Sequence, residues 1–376
     1  MRSTLLTKKN LWKLLGFSTC VVMVLFTACN KEEDTTVIQS GPPEPHLPSQ
    51  AFAYETGGSD MATLGRVLFY DKNLSLNNGI SCGSCHIQRF DFADNHQFSR
   101  GLNNGYTSRN TSSLCAEGNS FGFSNVHARF WDGRAANVDT AVFMPVMNHV
   151  EMDMFNLNIL PEKLSHLPYY HGLFQRAYLD SEITVTRIRT ALATFVSNLS
   201  SHSNKFDRNQ LNALENEGHE IFAGKGRCYS CHNGEDFNGY QTAYENVGLD
   251  VNYEDAGRGK ITKNTDDDGK FNVPSLRNIA LSAPYMHDGR YTTLREVIDH
   301  YSDGIQDNAN LSWQLKDIPQ DSLFFENNSS LNSLDLQSFA PVKMNLSEEE
   351  KNALEAFLKS LTDESYVTDP KFSDPF

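Results

Sequence analysis

Positive charge is scarce in this chain of 376 residues: 32 lysines and arginines stand against 47 aspartates and glutamates, a formal net charge of −15. A surface of that sign has no hold on a phosphate backbone, so nucleic acid is excluded as a partner. Long apolar runs are also missing. The sustained run, Leu14 to Ala28, is short for a membrane span, follows Arg2, Lys8, Lys9 and Lys13, and ends in small residues before Cys29. It reads as a signal peptide over residues 1–28. Alternating strand-type runs are few, which points to a mainly α chain with loop-rich connections. Cysteine is sparse too: Cys20 leaves with the leader and Cys115 stands alone, so no disulfide framework is expected.

The run Phe26-Thr27-Ala28-Cys29 is similar to a bacterial lipobox, with Phe26 where Leu is usual. Cys29 is then the lipidated first residue, which anchors the chain without spanning the bilayer. Residues 29–50, polar and rich in proline, read as a tether. Lys31-Glu32-Glu33-Asp34 resembles the export signal of surface lipoproteins. The expected address is the cell envelope, on the periplasmic side or the outer-membrane surface. Loss of the four leader cations leaves the mature chain at −19. That suits a basic partner, although a solvated surface explains it equally well.

The four remaining cysteines form the strongest motif. Cys82-Gly83-Ser84-Cys85-His86 recurs as Cys228-Tyr229-Ser230-Cys231-His232. C-x-x-C-H attaches c-type haem: the thiols form thioethers with the vinyl groups, and the adjoining histidine binds the iron. A redox C-x-x-C does not require that histidine, and a Cys₂His₂ zinc site needs a second His pair that neither copy has. Two covalently bound c-type haems follow, with His86 and His232 as iron ligands.

Sequence around each motif repeats as well. Leu64-Gly65 to Leu68-Phe69 matches Glu217-Gly218 to Ile221-Phe222. Phe90-Asp91-Phe92 matches Glu235-Asp236-Phe237, and Trp131-Asp132-Gly133-Arg134 is echoed by His287-Asp288-Gly289-Arg290. Two cytochrome-c-like domains are expected, over 51–205 and 206–376, each wrapping one haem. Helical spacing predicts helices over Met61–Tyr70, Glu162–Leu167, Thr186–Leu199, Ala213–Phe222, Thr293–Tyr301 and Ser347–Leu361. The last carries a capping box, Ser347 with Glu350. Ile305 to Asn345 reads as a long loop.

From about residue 60 to 362 the chain resembles the bacterial di-haem cytochrome c peroxidase and MauG family. Its carriers are Leu64 to Phe69, the two haem motifs, Arg109-Asn110, Phe130-Trp131-Asp132-Gly133-Arg134-Ala135, Val150-Glu151-Met152, Val273 to Asn278, and Pro284-Tyr285-Met286-His287-Asp288-Gly289. The resemblance implies a peroxidase-type oxidoreductase. H₂O₂ is reduced to water at the N-terminal haem, with electrons supplied through the C-terminal haem. It makes Glu151 the catalytic acid and base, and Trp131 the electron relay between haems. Asn110, Ser282 and Pro284 become a calcium site, whose oxygen-only ligation suits Ca²⁺. It further implies a small electron-donor protein, a cytochrome c or cupredoxin, and a homodimer.

Three positions depart from the family. Ala141 stands where well-studied members have a distal glutamine. Leu102 replaces a histidine that blocks the reactive haem until reduction, and His96 is nearby but displaced. An open reactive haem is therefore expected in the oxidised protein. Tyr301 occupies the place of the methionine that completes the second haem, as in MauG, with Met286 as rival ligand. A phenolate favours Fe(III) over Fe(II). Tyr301 thus supports a second reading, a MauG-like oxidase that uses peroxide or O₂ to oxidise a protein or organic substrate through a high-valent di-haem state.

Overall fold

A computed structural model describes residues 59–115, 129–239, 244–319 and 335–376, with Pro45 alone before them. The leader, Cys29 and the rest of the tether lie outside the described residues. Among the described residues no helix is long and apolar enough to cross a membrane. Helix dominates, and the named strands are a two-residue pair, β1 (Tyr244–Glu245) and β2 (Phe271–Asn272), antiparallel with Tyr244 opposite Asn272. The mainly α expectation holds.

The longer helices are α1 (Ser59–Tyr70), α2 (Leu160–Ser165), α3 (Pro168–Tyr178), α4 (Val185–Ser197), α5 (Ala213–Ala223), α6 (Leu294–Asp299) and α7 (Glu348–Ser360). At the N-termini of α4 to α7, side chains satisfy amides that have no partner inside the helix. Ser347 and Glu350 form the expected capping box, and Asn212 with Glu215 and Thr293 with Glu296 form two more.

The buried apolar residues form two clusters. One is built on α1, α3 and α4, with Leu68, Phe69, Phe92, Phe174 and Phe195. The other is built on α5, α6 and α7, with Phe222, Phe237, Leu354 and Phe357. Each holds one crossed helix pair, and glycine allows both crossings. A Cβ on Gly65 would lie 2.0 Å from the Ala191 carbonyl oxygen, and a Cβ on Gly218 would lie 1.9 Å from that of Ala353. No side chain fits there, so the backbones touch.

Three details differ from the expectation. The Thr293–Tyr301 helix ends as α-helix at Asp299 and continues as a wider turn, His300–Gly304. Ser302 in that turn is engaged by the segment before α7, accepting from the Met344 and Leu346 amides. α3 was not anticipated. The chain end also departs from a simple 206–376 domain: Tyr366, Val367 and Phe372 join the first cluster. There the Ser373 carbonyl accepts from Arg66 Nε at 2.6 Å, and the Phe372 carbonyl from the Tyr70 hydroxyl at 2.8 Å. Residues 42–376 make one compact unit.

Candidate active site

Both C-x-x-C-H segments fold into a single 3₁₀ turn, Cys82–Ser84 and Cys228–Ser230, that brings the histidine back over its own thiols. The His86 amide donates to the Cys82 carbonyl at 2.9 Å, and that of His232 to Cys228 at 2.8 Å. Each imidazole then uses Nδ1 on a carbonyl: His86 on Phe92 at 2.6 Å, His232 on Phe237 at 2.9 Å. This fixes the tautomer and leaves Nε2 as the coordinating nitrogen. Burial lowers both histidines, favouring the neutral ring that binds metal. Burial pushes Cys82 and Cys228 up to about 12, far from the acidic thiols of a redox pair.

Each motif lines its own cavity. The first, about 560 Å³, has Cys82, Cys85 and His86 on its wall. The second, about 190 Å³, has Cys228, Cys231 and His232. Among the described cysteines none is in a disulfide. Paired free thiols beside an anchored imidazole and an adjoining cavity are the donor set that c-type haem requires, so the residues fit the group.

Glu151 lines the first cavity, together with Trp131, Arg134 and Ala141. Its Oε1 accepts from Asn148 Nδ2 at 3.0 Å, and its carbonyl accepts from the Leu102 amide at 2.9 Å. Gly101 permits that contact, since a Cβ there would lie 2.0 Å from the Val150 carbonyl oxygen. Burial raises the Glu151 pKa and Arg134 opposes the rise. Leu102 is buried in the first apolar cluster. His96 is not on the cavity wall; its exposed ring holds Asp94 at 2.9 Å.

Trp131 lines both cavities. Its indole Nε1 donates to the Asn110 carbonyl at 2.8 Å, while its own carbonyl accepts from the Asn272 amide at 2.7 Å. Its backbone is thereby tied to β2 and its ring to the 110 loop. Asn110, Ser282 and Pro284 come together on the wall of the second cavity. Asn110 Nδ2 donates to the carbonyls of His96 and Gln97, both at 3.2 Å, which turns its side-chain oxygen the other way. Met286 and Tyr301 both line the second cavity, and burial raises the Tyr301 phenol.

Three further wall residues are not singled out by any sequence motif. Asn148 orients Glu151, and the exposed His149 lines the first cavity beside it. Glu245 lines the second, held by Gln314 Nε2 at 2.9 Å and raised by burial. Only the short spacing of Asn148 and His149 from Glu151 was readable beforehand.

The profile of the di-haem cytochrome c peroxidase family matches residues 59–215. Cytochrome c551 peroxidase of Nitrosomonas europaea is 35% identical over 272 residues, covering 68% of this chain and 76% of that protein. The chain belongs to this family. It is a di-haem, peroxidase-type oxidoreductase. Methylamine utilization protein MauG of Methylorubrum extorquens is 31% identical over 268 residues, 68% of this chain and 72% of its own. Among solved structures, a MauG-like protein associated with microbial copper homeostasis superposes with a TM-score of 0.70 at 29% identity. That match covers 90% of this chain and 99% of the other.

Proposed function

We propose that this peroxidase reduces H₂O₂ at the His86 site, with electrons entering through the His232 site from a small donor protein such as a cytochrome c or cupredoxin. Bound haem would supply the iron that takes the peroxide oxygen and the electrons of the reduction. Glu151 carries the acid–base part. Its Oε1 is held by Asn148, which leaves Oε2 to take a proton from one peroxide oxygen and return it to the other. Burial raises its pKa, which makes the carboxylate a better base for the peroxide proton. Leu102, buried where the family's blocking histidine stands, leaves the oxidised protein open to peroxide without prior reduction.

Trp131 is the relay in this reading, supported by its place on the walls of both cavities. Each cytochrome-c-like domain, 51–205 and 206–376, wraps one haem; the two apolar clusters support that division up to the chain end, where Tyr366, Val367 and Phe372 join the first. Asn110, Ser282 and Pro284 hold Ca²⁺ through one side-chain oxygen and two carbonyls. The chain is anchored at Cys29 in the cell envelope, and it forms a homodimer as in the family.

The carrying observation is the oriented, half-buried Glu151 on the wall of the larger cavity. The test is steady-state turnover of the oxidised protein with H₂O₂ and reduced donor. Glu151→Gln is expected to retain both haems and lose about 10²-fold in turnover, within the range for positioned acid–base groups; undiminished turnover removes Glu151 from the reaction. A second reading, a MauG-like oxidase of a protein or organic substrate, is favoured by Tyr301 on the second cavity wall. Negligible turnover with every reduced donor, alongside a rapid reaction with H₂O₂, would select it.

A further inference from the structure

Arg277 and Asn278, neighbours in the chain, reach the loops that follow both haem motifs, and the peroxidase reading uses neither. Arg277 turns to the second loop: its Nε donates to Asp236 Oδ1 at 2.6 Å, and its Nη2 to the Glu235 carbonyl at 3.0 Å. Asn278 turns to the first, where its Nδ2 donates to Asp91 Oδ1 at 2.7 Å. Both side chains are buried, and a left-handed backbone at Asn278, φ 57°, lets them diverge. Their other atoms are held as well. Arg277 Nη1 donates to Asp207 Oδ2 at 2.9 Å, and Asn278 Oδ1 accepts from the Asp363 amide at 2.7 Å.

Each of these aspartates directly precedes the phenylalanine whose carbonyl holds a haem histidine. Asp91 comes before Phe92, which holds His86, and Asp236 before Phe237, which holds His232. The two phenylalanines have φ of 56° and 52°, a region that bulky side chains rarely adopt. Such a backbone persists only where its surroundings hold it. Those surroundings are matched in the two loops. The Ser113 hydroxyl faces the Asp91 carbonyl at 2.9 Å and its carboxyl at 2.5 Å, and the Ser275 hydroxyl donates to the Asp236 carbonyl at 2.7 Å. A serine therefore pins the peptide that leads into each phenylalanine, and the 277–278 pair pins the side chain beside it.

We propose that Arg277 and Asn278 are positioning residues for His232 and His86, a role that rests on ligation of haem iron by these histidines and not on the peroxide reaction. Each acts through its aspartate on the phenylalanine that follows, and so sets how squarely a carbonyl meets histidine Nδ1. A well-aligned Nδ1–H···O=C bond makes the imidazole a stronger donor to its metal, which favours the oxidised iron. One dipeptide thus trims the redox balance of both sites from the side opposite their cavities. The clamp is ionic at the second site and neutral at the first, so the two haems are trimmed separately.

The experiment measures both haem potentials of the full-length holoprotein by spectroelectrochemistry, and the iron–histidine stretch of the reduced first haem by resonance Raman. Asn278→Ala is expected to raise the potential of the first haem and lower that stretching frequency, with the second haem unmoved. Arg277→Lys keeps the charge but loses the fork, and should raise the second potential alone. Ser113→Ala leaves Asn278 in place and loosens the same peptide, so it should repeat the Asn278→Ala shift in smaller measure, and it carries the test if Asn278→Ala does not fold. Potentials that stay put in these variants, or that move together at both haems, overturn the positioning role and leave the pair as a rivet between the lobes. A wild-type protein with no iron–histidine stretch overturns ligation by His86, and this role with it. The peroxide reaction is judged apart from all of these, on turnover.

Discussion

The two haem sites share a frame and differ in their walls. In both, a 3₁₀ turn presents two thiols, the histidine ties Nδ1 to the carbonyl of a phenylalanine, and a glycine lets two helices cross backbone to backbone. Attachment dictates those features, so both copies keep them. The walls obey no such demand. The first has Glu151, Arg134 and His149 around a cavity about three times larger, while the second has Met286 and Tyr301. Even the aspartates behind the histidines differ. Asp236 pairs at 2.6 Å with Arg277, which is buried and also holds Asp207. Among the described residues Asp91 is held by neutral partners, Asn278 and Ser113. Where the copies agree, they report the cofactor; where they diverge, they divide the labour.

The comparison breaks most sharply at attachment. Replacing Cys82 and Cys85 together by alanine should leave one covalent haem per chain, held by Cys228 and Cys231. Haem quantified against protein checks this, and two retained haems would contradict independent attachment. Next in size are the crossings. Gly65→Ala and Gly218→Ala each force a Cβ into a carbonyl, and each should cost about 3 kcal/mol in chemical denaturation. A large loss at one site only would show that the crossings are not equivalent.

A smaller effect separates the aspartates. Burial raises Asp91 from 3.8 to about 7, so the folded chain binds that proton more tightly than the unfolded chain. Its contribution is therefore most favourable below about pH 4 and declines as pH rises to about 7. Asp91→Asn should remove this slope, stabilising the protein by about 2 kcal/mol more at pH 8 than at pH 5, as a shift of this size implies. Equal midpoints at both pH values would refute it. The smallest change is spectral: Tyr301→Phe should shift the bands of the second haem with stability nearly unaltered. A Met286→Leu variant that shifts them instead would transfer the ligand role.

Local patterns were legible and long-range ones were not. The haem turns and the Ser347–Glu350 cap depend on neighbours within a few residues, and they stand as read. Helix α3 carries its buried face on Tyr170, Leu173 and Phe174, but Gly172 lies between them and the exposed face is largely aromatic and polar, which blurred the stripe. Asn148 became informative only when its amide was seen on Glu151. The return of Tyr366 and Phe372 to the first cluster had no local signal, since their partners Phe92 and Phe195 lie far away in sequence.

That returning tail sets an order of events. Gln88, two residues past His86, donates to the carbonyls of Tyr366 and Asp369, so part of the first lobe's wall is made from residues far along the chain. Domains ordinarily close in the order in which they are synthesised. Here the N-terminal lobe must wait for residues 366–373. Its two thiols therefore stay approachable until that segment arrives, well after the second haem motif has been made.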